Sequence, residues 1–423
     1  MKRLLALAGL LLAATPAGAA ERHVRAGRLI DVATGRVLID QLISIDGERI
    51  TAIAPYAAPP GGAPLIDWSS KTVLPGLIDM HTHLVGDIQS AGVADPLLTS
   101  GAEDALIGAA NAKKTLRAGF TTVRDVGAWR AFTDVALRDA IDKGYVEGPR
   151  MAVAGGYFTV PGGGGAITGL ADDIGLPPPY EAGVVRGAED ARQKARGFLQ
   201  HRVDFLKLIA TGAVLTVGTD PGMPELSETE MRAIVEEAAK YGKKTTAHAH
   251  GAEGAKAAIR AGVRSIEHGS ILDDEALSMM KKRGVFLVAD IYNGDYIDEI
   301  GARDGWPEET LRKNRETTDT QREVFRRAVS MGVRIAYGTD SGVYPHGDNA
   351  KQLPYMVKYG MTPIEAIKAA TIDAAILLGW EKDVGSIGVG RFADMIAVDG
   401  DPLADINALT GEKIVMKGGD LVD

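Results

Sequence analysis

The central part of the chain alternates short apolar segments with helical stretches, and this alternation strongly limits the folds available to it. Eight segments have strand character: the stretch around His81 and residues 122–125, 151–154, 205–208, 245–248, 265–268, 285–288 and 335–340. Helical stretches lie between most of them, for example residues 227–241, which open with the capping-box sequence Ser227-Glu228-Thr229-Glu230. Strands that alternate with helices indicate a parallel sheet, and eight such units predict an α/β fold of the (β/α)8 TIM barrel type.

Both ends of the sequence show a different pattern of short alternating strands and turn signals. Residues 24–30 and 42–47 share this pattern with residues 393–398 and 413–416. Terminal segments of similar character that flank a large middle often pack together. We therefore predict a small β-sandwich domain formed by residues 21–75 and 386–423, beside a barrel of residues 76–385.

The N-terminal residues have the pattern of an export signal. Lys2 and Arg3 form a positive region, residues 4–14 are apolar, and Ala17-Gly18-Ala19 offers a cleavage site. This apolar run is too short to span a bilayer. We expect a signal peptide at residues 1–20, a periplasmic or secreted mature protein, and no membrane anchor.

Composition excludes several classes of function. The 423 residues carry 47 basic and 56 acidic side chains, a formal net charge of −9, and no extended basic cluster. We therefore expect no nucleic-acid partner. The sequence contains no cysteine, which excludes disulfides, cysteine metal ligands and thiol nucleophiles.

Histidines at predicted strand ends carry the strongest functional signal. His81 and His83 stand two residues apart in a predicted strand, so their side chains project from the same face. Five of the eight histidines lie at such ends, together with an aspartate and a lysine: His81, His83, His248, His250, His268, Asp340 and Lys207. Imidazole and carboxylate ligands suit zinc or a similar divalent ion, and barrel active sites form at carboxyl ends of strands. The pattern predicts a metal-dependent hydrolase.

Each of these residues also has a structural interpretation. A lone histidine such as His250 is usually a hydrogen-bonded core residue, Lys207 could pair with a buried carboxylate, and Asp340 could cap a helix. The shared position at strand ends favours the metal site over these separate explanations. Asp79 and Glu267 are expected to be structural residues that orient neighbouring ligands or form salt bridges. Asp125 is also expected to be structural. No role is assigned to His23, His201 and His346.

These motifs resemble the amidohydrolase superfamily, in particular its imidazolonepropionase-like branch. That branch contains prolidase-type and Xaa-Arg dipeptidases and ochratoxin-hydrolysing amidases. The resemblance rests on residues 74–83, 205–208, 248–251, 265–269, 338–340 and 388–394, which together span almost the whole mature chain. The motifs are specific for the family and only weakly specific for the substrate.

The resemblance implies a site for two divalent metal ions, with zinc as the expected metal. The implied ligands are His81, His83 and Asp340 for the first ion, His248 and His268 for the second, and a carboxylated Lys207 that bridges both. Asp340 would also take and return a proton during catalysis. His250 would face the substrate, for example a carboxylate.

One departure from the family pattern concerns the loop after the third strand. Related enzymes often carry a histidine in this glycine-rich loop, whereas residues 157–165 here read Tyr-Phe-Thr-Val-Pro-Gly-Gly-Gly-Gly. The contacts of that histidine are therefore left open, although the glycines of residues 161–165 allow close backbone approach. The long loop of residues 161–179 is expected to form a lid or a substrate wall.

The leading hypothesis is an exported binuclear metal-dependent amidohydrolase that cleaves the peptide or amide bond to a C-terminal amino acid. Expected substrates are Xaa-Pro-type dipeptides, N-acyl amino acids or ochratoxin-like amides. One alternative is a cyclic amidase or deaminase on the same scaffold, although a carboxylated Lys207 argues against a deaminase. Another is a non-catalytic metal- or peptide-binding protein, which would need a broken ligand set. The family often forms larger assemblies, so we expect a homo-oligomer.

Overall fold

The computed structural model describes residues 22–59, 63–86, 94–171 and 173–423. The predicted signal peptide at residues 1–20 lies outside the described residues. Among the helices of these ranges, none combines the length and the apolar character needed to cross a membrane.

Strands from both ends of the chain form a single seven-stranded sheet. These strands are β1 (Arg22–Asp31), β2 (Arg36–Asp46), β3 (Arg49–Pro55), β4 (Leu65–Pro75), β13 (Met395–Val398), β14 (Ile414–Lys417) and β15 (Asp420–Leu421). Their order in the sheet is β15-β14-β13-β4-β1-β2-β3. The N-terminal and C-terminal segments meet at β4, which pairs in parallel with β1 and antiparallel with β13.

This terminal sheet curls back on itself. Ile50 N donates to Arg391 O at 2.9 Å and Ala393 N donates to Glu48 O at 2.8 Å, which joins the β3 edge to the residues leading into β13. The enclosed apolar core includes Val24, Ile43, Ile45, Trp68, Met395 and Met416. The structure thus has one curled sheet where a sandwich of two layers was predicted.

The middle of the chain forms two parallel sheets. Their strands are β5 (Leu77–Thr82), β6 (Phe120–Asp125), β7 (Arg150–Val153), β8 (Tyr157–Phe158), β9 (Phe205–Ile209), β10 (Lys244–Gly251), β11 (Ser265–Ile271) and β12 (Phe286–Val288). The sheet orders are β5-β6-β7 and β12-β11-β10-β9-β8. Nearly every residue of these strands is buried, as expected where helices cover a parallel sheet.

Seven of the eight predicted central strands are regular strands, and the eighth is not. Residues 335–340 do not form a regular strand, and the bridges in this region are isolated: Leu287 with Ile335 on one side, and Thr82 with the following residue Ser341 on the other. Gly338 has no room for a side chain there, because an added Cβ would lie 2.2 Å from Val288 Cγ1.

These bridges place residues 335–341 between β12 and β5. At the other junction between the two sheets, Asp204 N donates to Val153 O at 2.8 Å, and this bond brings β7 beside the start of β9. The two parallel sheets are therefore linked at both of their junctions, in the strand order that an eight-stranded barrel requires. The short strand β8 is an addition that the sequence pattern did not predict.

Twelve α-helices are present in the described residues. They are α1 (Gly101–Arg117), α2 (Thr133–Asp142), α3 (Pro178–Glu181), α4 (Ala188–Gln200), α5 (Glu228–Lys240), α6 (Ala252–Ala261), α7 (Asp274–Arg283), α8 (Asn293–Tyr296), α9 (Glu308–Met331), α10 (Gln352–Lys358), α11 (Pro363–Ala369) and α12 (Ile372–Leu378). The predicted capping box is confirmed at α5, where both bonds between Ser227 and Glu230 are present.

Candidate metal centre

His81 and His83 meet Asp340 at the carboxyl end of β5. Their ring centroids are 5.4 Å apart. Asp340 Oδ1 lies 3.4 Å from His81 Nε2 and 3.3 Å from His83 Nε2. Backbone bonds fix this geometry, since Asp340 N donates to His81 O and His83 N donates to Ser341 O, each at 2.8 Å. The structure thus brings together the three residues predicted for the first ion.

Three further imidazoles lie at the ends of the adjacent strands β10 and β11. Ala249 pairs with His268 in the parallel register, so His248, His250 and His268 meet at the same end of the sheet. Their ligand atoms all lie within 4.8 Å of one another. His268 also belongs to a second such group with His81 and Asp340. The two sets of side chains therefore form one continuous cluster, to which His250 also belongs.

Two residues of this cluster have unusual backbone conformations. His268 has φ of +66° and Asp340 has φ of +55°, in the left-handed region that residues with a Cβ seldom adopt. Such strained positions persist only where the surrounding structure enforces them, and they are concentrated at active sites.

Lys207 lies on β9 and lines the same cavity as the five histidines. It is paired in register with Thr246 of β10 and Tyr157 of β8, and it is only 2% exposed. Burial lowers the pKa of Lys207 to about 8, although Glu267 and Asp340 act in the opposite direction. The amine is therefore much easier to deprotonate than an ordinary lysine.

Hydrogen bonds to one nitrogen of each imidazole leave the other nitrogen for a ligand. The Nδ1 contacts are His81 with Glu267 Oε2 at 2.9 Å, His83 with Gly127 O at 2.8 Å, His250 with Ser270 Oγ at 2.7 Å, and His268 with Asp290 Oδ1 at 3.0 Å. His248 differs, since its Nε2 lies 3.2 Å from Gly212 O. Metal-binding histidines are typically held in this way by a carboxylate or a backbone carbonyl. The donor set therefore fits a divalent metal ion.

Glu267 is the buried carboxylate behind His81. It also accepts hydrogen bonds from Arg124 Nη2 at 2.8 Å, from Ser265 Oγ at 2.7 Å and from Thr246. Burial acts to raise the pKa of Glu267, but the charges of Arg124 and Lys207 hold it below its usual value. Glu267 is therefore an ionised partner that orients the His81 ring.

Asp79 connects β5 to the irregular eighth segment. It accepts hydrogen bonds from His81 N and Thr339 N, each at 3.1 Å, and from Asn349 Nδ2 at 2.8 Å. Burial nevertheless raises the pKa of Asp79 to about 6. Its contacts hold the backbone of His81 against the backbone that leads to Asp340.

Sequence reasoning missed several residues that contact this cluster. Asp290 follows β12 and could have been found by the rule that polar residues at strand ends form barrel sites. Gln321 Nε2 donates to Asp290 Oδ1 at 2.8 Å from the middle of α9, where no sequence signal marked it. Tyr157 stands in the glycine-rich loop sequence, where no pattern marks it as a site residue, yet its hydroxyl lies 3.2 Å from His83 Nδ1 and donates to Gly127 O at 3.0 Å.

The cluster forms the floor of a cavity of about 210 Å³. Its walls are largely apolar and include Trp129, Ile209, Leu215, Ile297, Trp306 and Val343. Residues 164–168 of the predicted glycine-rich wall also line it, and Gly164 N donates to the Glu225 carboxylate at 2.8 Å. A mostly apolar cavity with a few convergent polar groups is the usual form of a small-molecule site.

Buried imidazoles and carboxylates at the carboxyl ends of parallel strands are typical of metal-dependent hydrolases. Comparison with known proteins identifies the group more closely, since the amidohydrolase family model matches residues 72–422. The chain belongs to the amidohydrolase family and is a hydrolase of C–N bonds in amides and peptides. The resemblance inferred from the motifs is thereby confirmed.

Individual relatives agree with this assignment. Ochratoxinase from Aspergillus niger is 33% identical over 373 residues, which cover 82% of this chain and 75% of that protein. A solved Xaa-Pro dipeptidase with bound methionine is 38% identical, with a TM-score of 0.90 over 95% of this chain and 99% of the other. A prolidase complexed with N-methylphosphonate-L-proline is 28% identical, with a TM-score of 0.88 and the same two coverages.

Proposed function

We propose that the protein is an exported, binuclear metal-dependent amidohydrolase that hydrolyses the bond between an acyl group and a C-terminal amino acid. The observation that carries this proposal is the convergence of five buried imidazoles, Asp340 and Lys207 on one cavity. The relatives named for ochratoxin and for Xaa-Pro dipeptides support the substrate range. That range comprises Xaa-Pro-type dipeptides, N-acyl amino acids and ochratoxin-like amides.

The proposed ligands follow the clusters of the site. His81, His83 and Asp340 would hold one zinc ion, and His248 and His268 would hold the other. Lys207 would join them as a carbamate, because a neutral amine adds CO2 and releases a proton. The lowered pKa of about 8 makes the neutral amine accessible near neutral pH.

The remaining chemistry is assigned to side chains of the chain itself. A divalent ion supplies Lewis acidity, which polarises a carbonyl and makes water acidic enough to react near neutral pH. The Asp340 carboxylate would accept a proton on the water side and return it to the leaving nitrogen. Burial lowers the pKa of His250 to about 3, so this neutral imidazole would meet a substrate carboxylate through a single hydrogen bond.

The proposal extends to the domain organisation, the processing and the assembly of the protein. Residues 76–385 would close into the (β/α)8 barrel, and residues 21–75 and 386–423 would form the small β domain beside it. Removal of residues 1–20 would release the mature protein into the periplasm or the medium. Assembly into a homo-oligomer is part of the proposal.

Metal removal and replacement test the proposal directly. Dipeptides and N-acyl amino acids are offered to the purified protein, and released amino acids are detected by mass spectrometry. We expect chelation to abolish release and zinc to restore it. Asp340→Asn should lower kcat/KM by about 10²- to 10⁴-fold, the range for loss of general acid–base catalysis. Asp204→Asn, at the opposite end of β9, should retain activity. Full activity in protein shown to be metal-free by elemental analysis would refute the proposal.

A further inference from the structure

His250 differs from the other imidazoles of the cluster in the group that it contacts. Its Nδ1 lies 2.7 Å from the hydroxyl oxygen of Ser270. Each of the other four has one nitrogen beside a carboxylate or a backbone carbonyl, namely His81 beside Glu267, His83 beside Gly127 O, His248 beside Gly212 O and His268 beside Asp290. The Tyr157 hydroxyl also lies near His83, but it donates to Gly127 O.

These partners determine which ring nitrogen carries the proton. Carbonyls and ionised carboxylates only accept hydrogen bonds, so the nitrogen beside them is protonated and the other nitrogen keeps its lone pair for a metal ion. A hydroxyl can donate as well as accept. The Ser270 hydroxyl therefore allows His250 two neutral forms. In one form Nε2 has a lone pair that can bind a metal ion, and in the other Nε2 carries the proton.

The position of His250 places it among the ligands proposed for the second metal ion, His248 and His268. The ligand atoms of the three imidazoles all lie within 4.8 Å of one another. The ring centroid of His250 is 4.7 Å from that of His248 and 4.9 Å from that of His268. All three side chains line the cavity. Three imidazoles are an established donor set for zinc.

We propose that His250 binds the second metal ion through Nε2 in the substrate-free protein and exchanges this bond for a substrate carboxylate. The inference rests on the proposed function, in which two ions are bound and His250 meets that carboxylate. In the substrate-free state, Nδ1–H donates to Ser270 Oγ. In the substrate-bound state, the Ser270 hydroxyl donates to Nδ1 and Nε2–H donates to the carboxylate. The ring is neutral in both states, because one proton leaves Nδ1 as another joins Nε2.

Metal binding in the absence of substrate tests the first half of the inference. Zinc affinities are measured by competition with a chromophoric chelator for the wild type, His250→Phe and His201→Phe. Loss of a residue that only orients a ligand costs about 10- to 100-fold in affinity. We therefore expect His250→Phe to weaken one of the two zinc ions by at least about 10-fold and to leave the other unchanged. His201 is exposed at the end of α4, and the same substitution there should change neither affinity.

The visible absorption of the cobalt-loaded, substrate-free protein reports the ligands themselves. The d–d bands of cobalt depend on the number and type of its ligands, so they should differ between the wild type and His250→Phe and remain the same in His201→Phe. If His250→Phe does not fold, His250→Ala removes the same ligand without crowding the cavity. Zinc affinities and cobalt spectra of the His250 variant that match those of the wild type overturn the inference.

A matched pair of substrates tests the second half. kcat/KM is measured for an N-acyl-alanine and for the corresponding N-acyl-alaninamide, which lacks the carboxylate. We expect the metal-loaded wild type to favour the acid by about 10- to 100-fold, the effect of one hydrogen bond to a charged group. The His250 variant should bring this ratio close to one, and a preference that persists there overturns the exchange.

The outcomes separate this inference from the proposed function. A wild type that binds two zinc ions and hydrolyses N-acyl amino acids, with a His250 variant of unchanged zinc affinity, overturns the inference alone. Failure of the metal-loaded wild type to hydrolyse any dipeptide or N-acyl amino acid overturns the proposed function as well.

Discussion

The two ends of the parallel strands organise their charged residues in opposite ways. At the carboxyl ends, a cavity of about 210 Å³ collects imidazoles, a lysine and an aspartate around a shared space. At the amino ends of β7, β9 and β10, a groove of about 750 Å³ is lined by arginines and aspartates. There, Arg138 pairs with Asp139 and Asp204 at 2.8 Å, and Arg150 pairs with Asp394 at 2.9 Å. The groove at the amino ends thus contains charges that neutralise one another, whereas the cavity at the carboxyl ends contains groups arranged to bind a ligand.

A single helix shows the same contrast. Asp134 and Asp139 lie five residues apart on α2. Burial raises the pKa of Asp134 to about 6, and its hydrogen bonds come from backbone N–H groups such as Gly155 N. Burial acts on Asp139 as well, but bonds from Arg138 and Arg202 hold its pKa below the usual value. Hydrogen bonds from arginines therefore keep the pKa of Asp139 low, whereas burial without such a bond raises the pKa of Asp134.

The largest effect is expected from Glu267→Gln, which leaves the buried Arg124 without an anionic partner. Removing one member of a buried pair costs about 3–5 kcal/mol. We expect a loss of unfolding free energy in this range, measured by urea unfolding with chelator present so that metal binding does not contribute. Because Glu267 also orients His81, zinc affinity should fall about 10- to 100-fold in a competition titration.

A variant at the opposite end separates these two effects. Asp394→Asn breaks the pair with Arg150, the first residue of β7 and therefore at the amino end of that strand. It should reduce stability and leave zinc affinity unchanged. Equal zinc affinity in the wild type and Glu267→Gln would contradict the assigned role of Glu267.

The dependence of stability on pH sharpens the comparison of carboxylates. Burial, and then the charge of Asp134, raises the pKa of Asp125 to about 7. The folded protein therefore binds this proton more tightly than the unfolded chain, whose aspartates titrate near pH 3.9. Unfolding free energy should consequently decline as pH rises from about 4 to about 7, and Asp125→Asn should flatten that decline. Urea midpoints measured across this range in chelator provide the test.

Asp139→Asn serves as the control, since the pKa of Asp139 is shifted in the opposite direction from that of Asp125. Because the pKa of Asp139 is lowered, its contribution is present above about pH 4 and is lost as pH falls. This variant should leave the decline between about pH 4 and about pH 7 unaltered. An identical slope in the wild type and Asp125→Asn would show that Asp125 does not titrate in the folded protein.

The sequence predicted the parts of this site that depend on local pattern. A two-residue spacing in a strand determines that His81 and His83 share a face, and parallel strands bring their carboxyl ends together. His268 and Asp340 followed from the same rule. The capping box at Ser227 was equally local, because it depends on residues within a single turn.

The parts that could not be predicted depend on contacts between distant segments. Gln321 reaches Asp290 only because of the way α9 packs over the strand ends, and helical periodicity does not identify which polar residue will do so. The curl of the terminal sheet depends on backbone bonds between Ile50 and Arg391, far apart in sequence. Residues 335–340 have the composition of a strand, but isolated bridges, not a continuous ladder of hydrogen bonds, join this region to β12 and β5.

The smallest effect is expected from Arg202→Ala, at the rim of the groove at the amino ends. The Arg202 side chain is 72% exposed and pairs with Asp139, which retains its second partner Arg138. Exposed ion pairs contribute about 0–1 kcal/mol, so urea unfolding should show a loss below about 1 kcal/mol. kcat/KM should not change, because the groove lies at the opposite ends of the strands from the cluster. A loss of kcat/KM comparable to that of Asp340→Asn would mean that the groove takes part in catalysis, and the distinction between the two ends would fail.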